Sequence, residues 1–207
     1  MTKLQKILSL IIVVVIVAGL VVIFTKGFNL GLTYGDSKRI VIAENTDMNG
    51  IKEIANEIFG KNKFIIQEVG EFPESIGVTV KEANDEQLNL LATKINEKYG
   101  KEITKDNFVI TEVAKTKIGD IINPYTNVMI AATAFIIAYI IIVCSAQKNK
   151  NLVKIAVKFV LGTLAAQLLL FSVYALARIP VNELLMPISL LVYVLTVGLL
   201  SKSILKK

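Results

Sequence analysis

The chain has 207 residues, is 54% hydrophobic and has a mean hydropathy of +0.61, a balance that places it with membrane proteins rather than ordinary soluble ones. It has no His, no Trp and a single cysteine, Cys144, so no intrachain disulfide can form, and zinc-type ligand clusters and most hydrolase arrangements are disfavoured from the outset. The net charge of +6 is divided unevenly: residues 27–122 hold 12 Lys/Arg and 16 Asp/Glu, whereas the remainder holds 11 Lys/Arg and one acid, Glu183. A mildly acidic soluble part argues against nucleic-acid binding, which needs a basic face on a folded domain.

Ile7 to Thr25 is 19 residues without a charge. That is close to the ~20 residues with which a helix crosses a bilayer. Lys3 and Lys6 precede it as they would precede a signal peptide, but the run exceeds a signal peptide's apolar region of about 7 to 15 residues and no small-x-small cleavage site follows. The expectation is an uncleaved anchor. The stretch Gly27 to Ile42, GFNLGLTYGDSKRIVI, then takes the chain from lipid to water.

The soluble segment alternates strand and helix signals. Arg39 to Glu44 reads as a strand. Thr46 or Asp47 caps a helix whose apolar face is Ile51, Ile54, Ala55, Ile58 and Phe59, and Gly60 stops it. Phe64 to Val69 and Ser75 to Val80 are strands, with Pro73 in their connection. Asn84 or Asp85 caps a second helix with Leu88, Leu91, Ala92, Ile95 and Tyr99 on one face, and Gly100 ends it. Phe108 to Val113 is the fourth strand, and FVITEV echoes FIIQEV after the first helix. The predicted order is βαββαβ, the ferredoxin-like split arrangement, with both helices on one face of an antiparallel sheet.

Three apolar runs follow: Asn127 to Ser145, Val153 to Ala177 and Leu184 to Ser201. The last two are joined by the short turn ARIPVNE and should form an antiparallel hairpin. Lys3 and Lys6, then Lys148, Lys150, Lys154 and Lys158, then Lys202, Lys206 and Lys207 all fall on one side of a four-span arrangement. Lys/Arg in short loops mark the cytoplasmic side, which leaves residues 27–122 outside. The predicted fold is an α+β membrane protein in three parts. Residues 1–26 are the N-terminus and first transmembrane helix, 27–122 a ferredoxin-like (βαββαβ) extracytoplasmic domain, and 123–207 transmembrane helices two to four, with both termini cytoplasmic.

Chemistry-bearing motifs are scarce. The carboxylates of EANDEQ and NEKYGKE interleave with polar or basic residues, as on solvated helix faces. Ser37 in GDSKR lacks the strand–turn–helix setting of a nucleophile elbow and has no His partner. Gly31 and Gly35 alone make no dinucleotide fingerprint. No enzyme activity and no cofactor is expected.

One span, a small α+β domain and then a group of spans resembles the layout of the SecD/SecF protein-export membrane proteins, relatives of the resistance-nodulation-division transporters. The match is closest at Leu30 to Ile42, LGLTYGDSKRIVI, against a family pattern L-G-L-D-F-T-G-G-T-R-I-V-I. The resemblance implies that Gly31, Tyr34, Gly35 and Arg39 are motif positions, joined by Gln67 in FIIQEVG. IGDIINPY resembles the segment by which the family re-enters the membrane. The domain's size is closer to SecF. The chain departs from the pattern at Thr33, Asp36 and Ser37, has room for four spans rather than six, and has no Asp or Glu in spans two to four, where the family's membrane carboxylates lie. Gln167 stands near one of those carboxylate positions. It cannot titrate but can bond a neighbouring helix, and Gly162, Ala165 and Ala166 beside it suit a close helix contact.

The resemblance implies a truncated, divergent SecF-like accessory protein of the cytoplasmic membrane. It would assist protein translocation through contact with a SecD-type partner, the export channel or the translocating polypeptide, without a proton relay of its own. The alternative from the residues is a membrane-anchored ligand-binding sensor or structural scaffold protein.

Overall fold

The structure, a computed structural model, describes residues 3–43, 46–70, 75–146 and 151–205. Glu44, Pro73, Lys148, Lys150, Lys206 and Lys207, used in the sequence reading, lie outside the described residues. The chain is α+β, with six α-helices and a four-stranded antiparallel sheet among the described residues. It divides into a sheet unit, Leu30–Thr116, and a helical unit, Met1–Asn29 with Lys117–Lys207.

The sheet unit contains β1 (Ser37–Ile42), α2 (Met48–Phe59), β2 (Phe64–Glu68), β3 (Ile76–Val80), α3 (Asp85–Tyr99) and β4 (Val109–Val113). The strand order is β2-β3-β1-β4, every neighbour antiparallel. Period-two alternation sends Ile40 and Ile42 of β1 and Ile76, Val78 and Val80 of β3 to one face. There they meet Ile51, Ile54, Ala55 and Phe59 of α2 and Leu88, Leu91, Ala92 and Ile95 of α3, so both helices lie on that face. Full burial of residues such as Ile40, Ile51 and Leu91 contributes roughly 1.5–3 kcal/mol each. Ile58 and Tyr99, read as members of the two apolar faces, are half-buried at the edge of this core.

The helix ends follow local chemistry. The Asp47 carboxylate accepts the backbone N–H of Asn49 and Gly50, each at 2.9 Å, and so caps α2. Asn84 and Gln87 form a reciprocal capping box at the start of α3, with bonds of 2.8 and 3.2 Å. Gly100 closes α3 in the left-handed region at φ 63°. Before β4 a 3₁₀ turn, Lys105–Asn107, is pinned by Asn107 Oδ1, which accepts the backbone N–H and the hydroxyl of Thr104, both at 2.8 Å. Beyond β4, Lys115 N–H donates to Asp36 Oδ1 at 3.0 Å and Thr116 N–H to the Tyr34 carbonyl at 2.8 Å. The first and last segments of the unit are thereby bonded to each other.

The helical unit contains α1 (Lys3–Lys26), α4 (Ile118–Ala146), α5 (Leu152–Leu176) and α6 (Leu185–Leu205). All four are long and apolar enough to cross a membrane, which makes the chain a multi-pass membrane protein by length and composition. The second span was predicted to begin at Asn127, but α4 begins nine residues earlier. Hydropathy marks where a helix is apolar, not where it is helical. Asp120 in the first turn suits the positive end of the helix dipole, whereas Pro124, the seventh residue, lies inside the helix and removes the bond to the Asp120 carbonyl.

Helix α1 packs chiefly on α5, and α5 on α6. Close approach needs small residues. A Cβ on Gly19 of α1 would overlap Ser172 of α5, and one on Gly162 of α5 would lie 2.8 Å from Leu200 Cδ1 of α6. Phe159, fully buried, is surrounded by Ile140, Cys144 and Ile204. The end of α1 is tied to the α5–α6 turn: Arg178 Nη1 donates to the Gly27 carbonyl, Asn29 Nδ2 to the Arg178 carbonyl, and Val181 N–H to the Asn29 carbonyl, each at 2.7 Å. Phe28 meets Phe171 edge to face, with ring centroids 6.2 Å apart.

Candidate functional site

Among the described residues the sheet's second face carries no helix of its own unit, and it holds two of the positions singled out in the sequence. Alternation from the core residues places Ser37, Arg39 and Val41 of β1, Gly77 and Thr79 of β3, Ile65 and Gln67 of β2, and Val109, Thr111 and Val113 of β4 on this face. The register lines them up in rows across the strands. One row is Thr111, Arg39, Thr79, Ile65, and the next is Val109, Val41, Gly77, Gln67. Arg39 and Gln67 therefore share a face but lie two strands apart, with β3 between them.

Gly77 makes room there. A Cβ at Gly77 would lie 3.0 Å from Val69 Cγ2 and 3.7 Å from Arg39 Cδ, so the Arg39 stem and Val69 both lean over this glycine. Ser37 and Thr79 are 5% and 6% exposed, yet Thr111, Val109 and Gln67 on the same face are open to solvent. The Ser37 hydroxyl and the Arg39 Nε are both buried without a hydrogen-bond partner among the described residues. Such orphaned atoms are uncommon in native proteins and call for an explanation.

The other motif positions form a turn that leads into β1. The Gly31 carbonyl accepts the N–H of Gly35 at 2.7 Å and of Tyr34 at 3.1 Å. A Cβ at Gly35 would lie 3.0 Å from that same carbonyl, a tight approach that a larger residue would have to loosen. Gly31 and Gly35 thus shape the backbone of this turn with Tyr34, and Arg39 and Gln67 lie on the second face of the sheet. Asp36, a departure from the family pattern, spends its side chain on Lys115.

In the helical unit the polar side chains join helices pairwise. Gln167 Nε2 of α5 donates to the Ser189 carbonyl of α6 at 3.1 Å, and Ser189 Oγ donates back to Gln167 Oε1 at 2.7 Å. Thr133 Oγ1 of α4 lies 2.9 Å from the Tyr193 hydroxyl of α6. Ser172 Oγ of α5 donates to the Ile16 carbonyl of α1 at 3.3 Å. The amide and the hydroxyls are all hydrogen-bonded.

No family model matches this chain, and no curated protein matches it.

Charged side chains of α2 and α3 pair with one another across the two helices. Lys94 bonds Glu57, and Lys98 bonds Glu53 at 2.6 Å, around a shallow cleft of about 240 Å³ that Glu97 also lines. The Lys94 hydrogen bond holds the Glu57 carboxyl below its ordinary range, and Glu57 in turn raises Lys94. Glu53 raises Lys98 in the same way. Lys105 lowers Asp85 across a 2.7 Å pair. Backbone N–H groups of Gly50 and Asn49 lower Asp47, and burial first, then Asp47, raises Tyr99. Glu53, Glu57 and Asp85 are exposed and each paired with a lysine of another element, so they serve as solvated staples. Among the described residues no three His, Cys, Asp or Glu side chains gather to hold a metal ion.

The sequence reading discarded Ser37 as a nucleophile and did not connect it to Arg39. The signal was available, since residues two apart in a strand share a face. It also missed Gly19, Thr133, Ser172 and Tyr193, whose pairings need three-dimensional proximity.

Proposed function

We propose that this chain is a SecF-like accessory protein of the cytoplasmic membrane. It assists export of polypeptides by contact with a SecD-type partner, the export channel or the moving polypeptide. One observation carries the reading: a sheet of antiparallel order β4-β1-β3-β2 with two helices on one face, inserted after the first of four apolar helices. That order is the one a ferredoxin-like βαββαβ unit takes, and such a unit after the first span is the family's layout. The short positive segments favour cytoplasmic termini and an external sheet unit.

The residues support a role through contact rather than chemistry. Spans α4 to α6 contain no carboxylate, apart from Asp120 in the first turn of α4. At the position where the family resemblance leads one to look for a proton carrier, Gln167 is bonded to Ser189. Strand β4 lies at a sheet edge with Val109 and Ile110 51% and 41% exposed, and an edge of that kind can pair with an extended chain.

Crosslinking in intact cells followed by partner identification tests this reading. Recovery of the export channel or a SecD-type protein supports it, and their consistent absence overturns it.

A further inference from the structure

We infer that Lys154 and Lys158 of α5 bind the phosphate of an anionic phospholipid beside the start of α1. The inference rests on the four apolar helices lying in a membrane and not on the export reading. Its first observation is where charge falls in the helical unit. Cys144 of α4, Phe159 of α5 and Ile204 of α6 share one cluster, so the end of α4, the start of α5 and the end of α6 lie together. The far end of α1 is tied to the α5–α6 turn, so α1 runs parallel to α5 and its start joins the same end of the unit. That end holds Lys3, Lys6, Lys154, Lys158 and Lys202 among the described residues. The unit's two acids lie at the other end, Asp120 in the first turn of α4 and Glu183 in the α5–α6 turn. These lysines therefore share their end with no acidic side chain of their own unit.

Helix geometry brings these charges to one level. Gly19 of α1 meets Ser172 of α5. At ~1.5 Å per residue, Lys6 and Lys3 lie about 20 and 24 Å back from that contact, and Lys158 and Lys154 about 21 and 27 Å back. Five full turns of about 3.6 residues separate Lys154 from Ser172, and Lys158 lies one turn nearer, so both stand on the side of α5 that meets α1. Both are exposed, as are Val153 and Val157 beside them. Residues four apart on a helix have Cβ atoms about 5–6 Å apart, a spacing that lets two ammonium groups flank one phosphate.

The surroundings select a lipid as the carrier. Lysine stems run along apolar surface and lift the ammonium to the membrane interface, where lipid phosphates lie. Leu4 and Leu8 of α1 and Val157 and Leu161 of α5, all exposed, offer apolar surface at and below this level for the acyl chains. A soluble anion would meet the charge and leave that surface uncovered. Positive charge beside a span orients a helix wherever it sits in the flanking loop. It does not require two lysines one turn apart inside the apolar helix, at its third and seventh residues, where an ammonium without an anion is poorly solvated.

Native mass spectrometry of the full chain in a neutral detergent tests the site, with dioleoyl phosphatidylglycerol titrated against phosphatidylcholine of the same chains. Each lysine near an anionic headgroup contributes about a factor of five, so phosphatidylglycerol is expected to bind ~25-fold more tightly. Lys154→Gln with Lys158→Gln should remove that preference and leave phosphatidylcholine binding as it was. Lys26→Gln with Lys117→Gln, at the other end of the helices, should change neither. Equal binding of the two lipids overturns the site. So does a preference that survives the loss of Lys154 and Lys158, or one that falls as far in the Lys26 and Lys117 pair. Glycerol phosphate is the soluble-anion arm, and displacement of phosphatidylglycerol by it at equal concentration overturns the lipid as ligand. Lys154→Arg with Lys158→Arg keeps the charge and should keep the preference; its loss there too would trace the effect to helix packing and overturn the assignment.

Discussion

In the sheet unit the side chains withdrawn from solvent are Ile40, Ile51, Val78, Leu91 and Ile95, all fully buried, and the outer faces carry Glu53, Glu57, Lys94 and Lys98. The helical unit buries Phe159 and Ile140 as well, but its outer surface is reversed. Leu10, Phe135 and Val153 are 65%, 79% and 78% exposed, whereas Ser172 and Ser189 are fully buried. The reversal follows from the solvent. Water drives apolar side chains together, so burial itself holds the sheet unit. Lipid gives no such drive between helices, which then associate through close backbone approach and hydrogen bonds. Polarity is therefore spent on solubility in one unit and on cohesion in the other.

This contrast can be tested by substitution in the full chain in nanodiscs, with hydrogen exchange reading the sheet unit and SDS-induced unfolding reading the helical unit. The largest effect is expected from Ile40→Ala, which should cost about 2–5 kcal/mol through lost burial and the cavity left behind. It should speed exchange throughout β1 and β3, while Val153→Ala, on an exposed helix face, should leave the SDS midpoint within error. Comparable losses from the two would break the contrast. Gly19→Leu should cost roughly 1–3 kcal/mol by forcing α1 off Ser172, and it should lower the SDS midpoint without altering exchange in the sheet unit. Asn84→Ala removes half of the capping box and should cost about 1 kcal/mol, concentrated in the first turn of α3. Ser189→Ala should cost about 0.6 kcal/mol, because helices separated in a membrane find other partners for Gln167.

The smallest expected effect is one of pH. Asp47 is held below its ordinary value by the Gly50 and Asn49 amides, so the folded unit favours its charged form. That contribution is complete above the unfolded carboxyl value of about 3.9 and is lost as pH falls through the lower folded value. Asp47→Asn keeps a capping oxygen and should flatten the acid-dependent rise in exchange at the start of α2. A rise as steep as in the unsubstituted chain would place the acid sensitivity elsewhere.

The sequence carried the sheet unit well because its signals are local. Asp47, Gly60, Asn84 and Gly100 sit at the helix ends, and the alternating Ile and Val runs select a face. The strand ends differ by one or two residues: β1 begins at Ser37, ahead of the predicted Arg39, because pairing with β4 extends to Val113. The span positions were legible from hydropathy, but the first nine residues of α4 were not, since Asp120, Asn123 and Pro124 lower hydropathy without stopping a helix. The orphaned Ser37 and Arg39 atoms were illegible for another reason. Whether a polar atom has a partner depends on three strands and on the missing Cβ of Gly77, and no single window contains them.

The bonds that close the sheet unit, Thr116 to Tyr34 and Lys115 to Asp36, join its two ends beside the start of β1 and the finish of β4. Those strands are antiparallel neighbours, with Ser37 opposite Val113. A tension applied at the two ends therefore acts nearly along the inter-strand hydrogen bonds, which lie across the strands, and meets them one after another. The β1–β4 seam is loaded in peeling rather than in shear. It should open like a zipper under a small force, from the Ser37–Val113 end inward, and expose the flank of β1 before the apolar core between the sheet and its helices is disturbed.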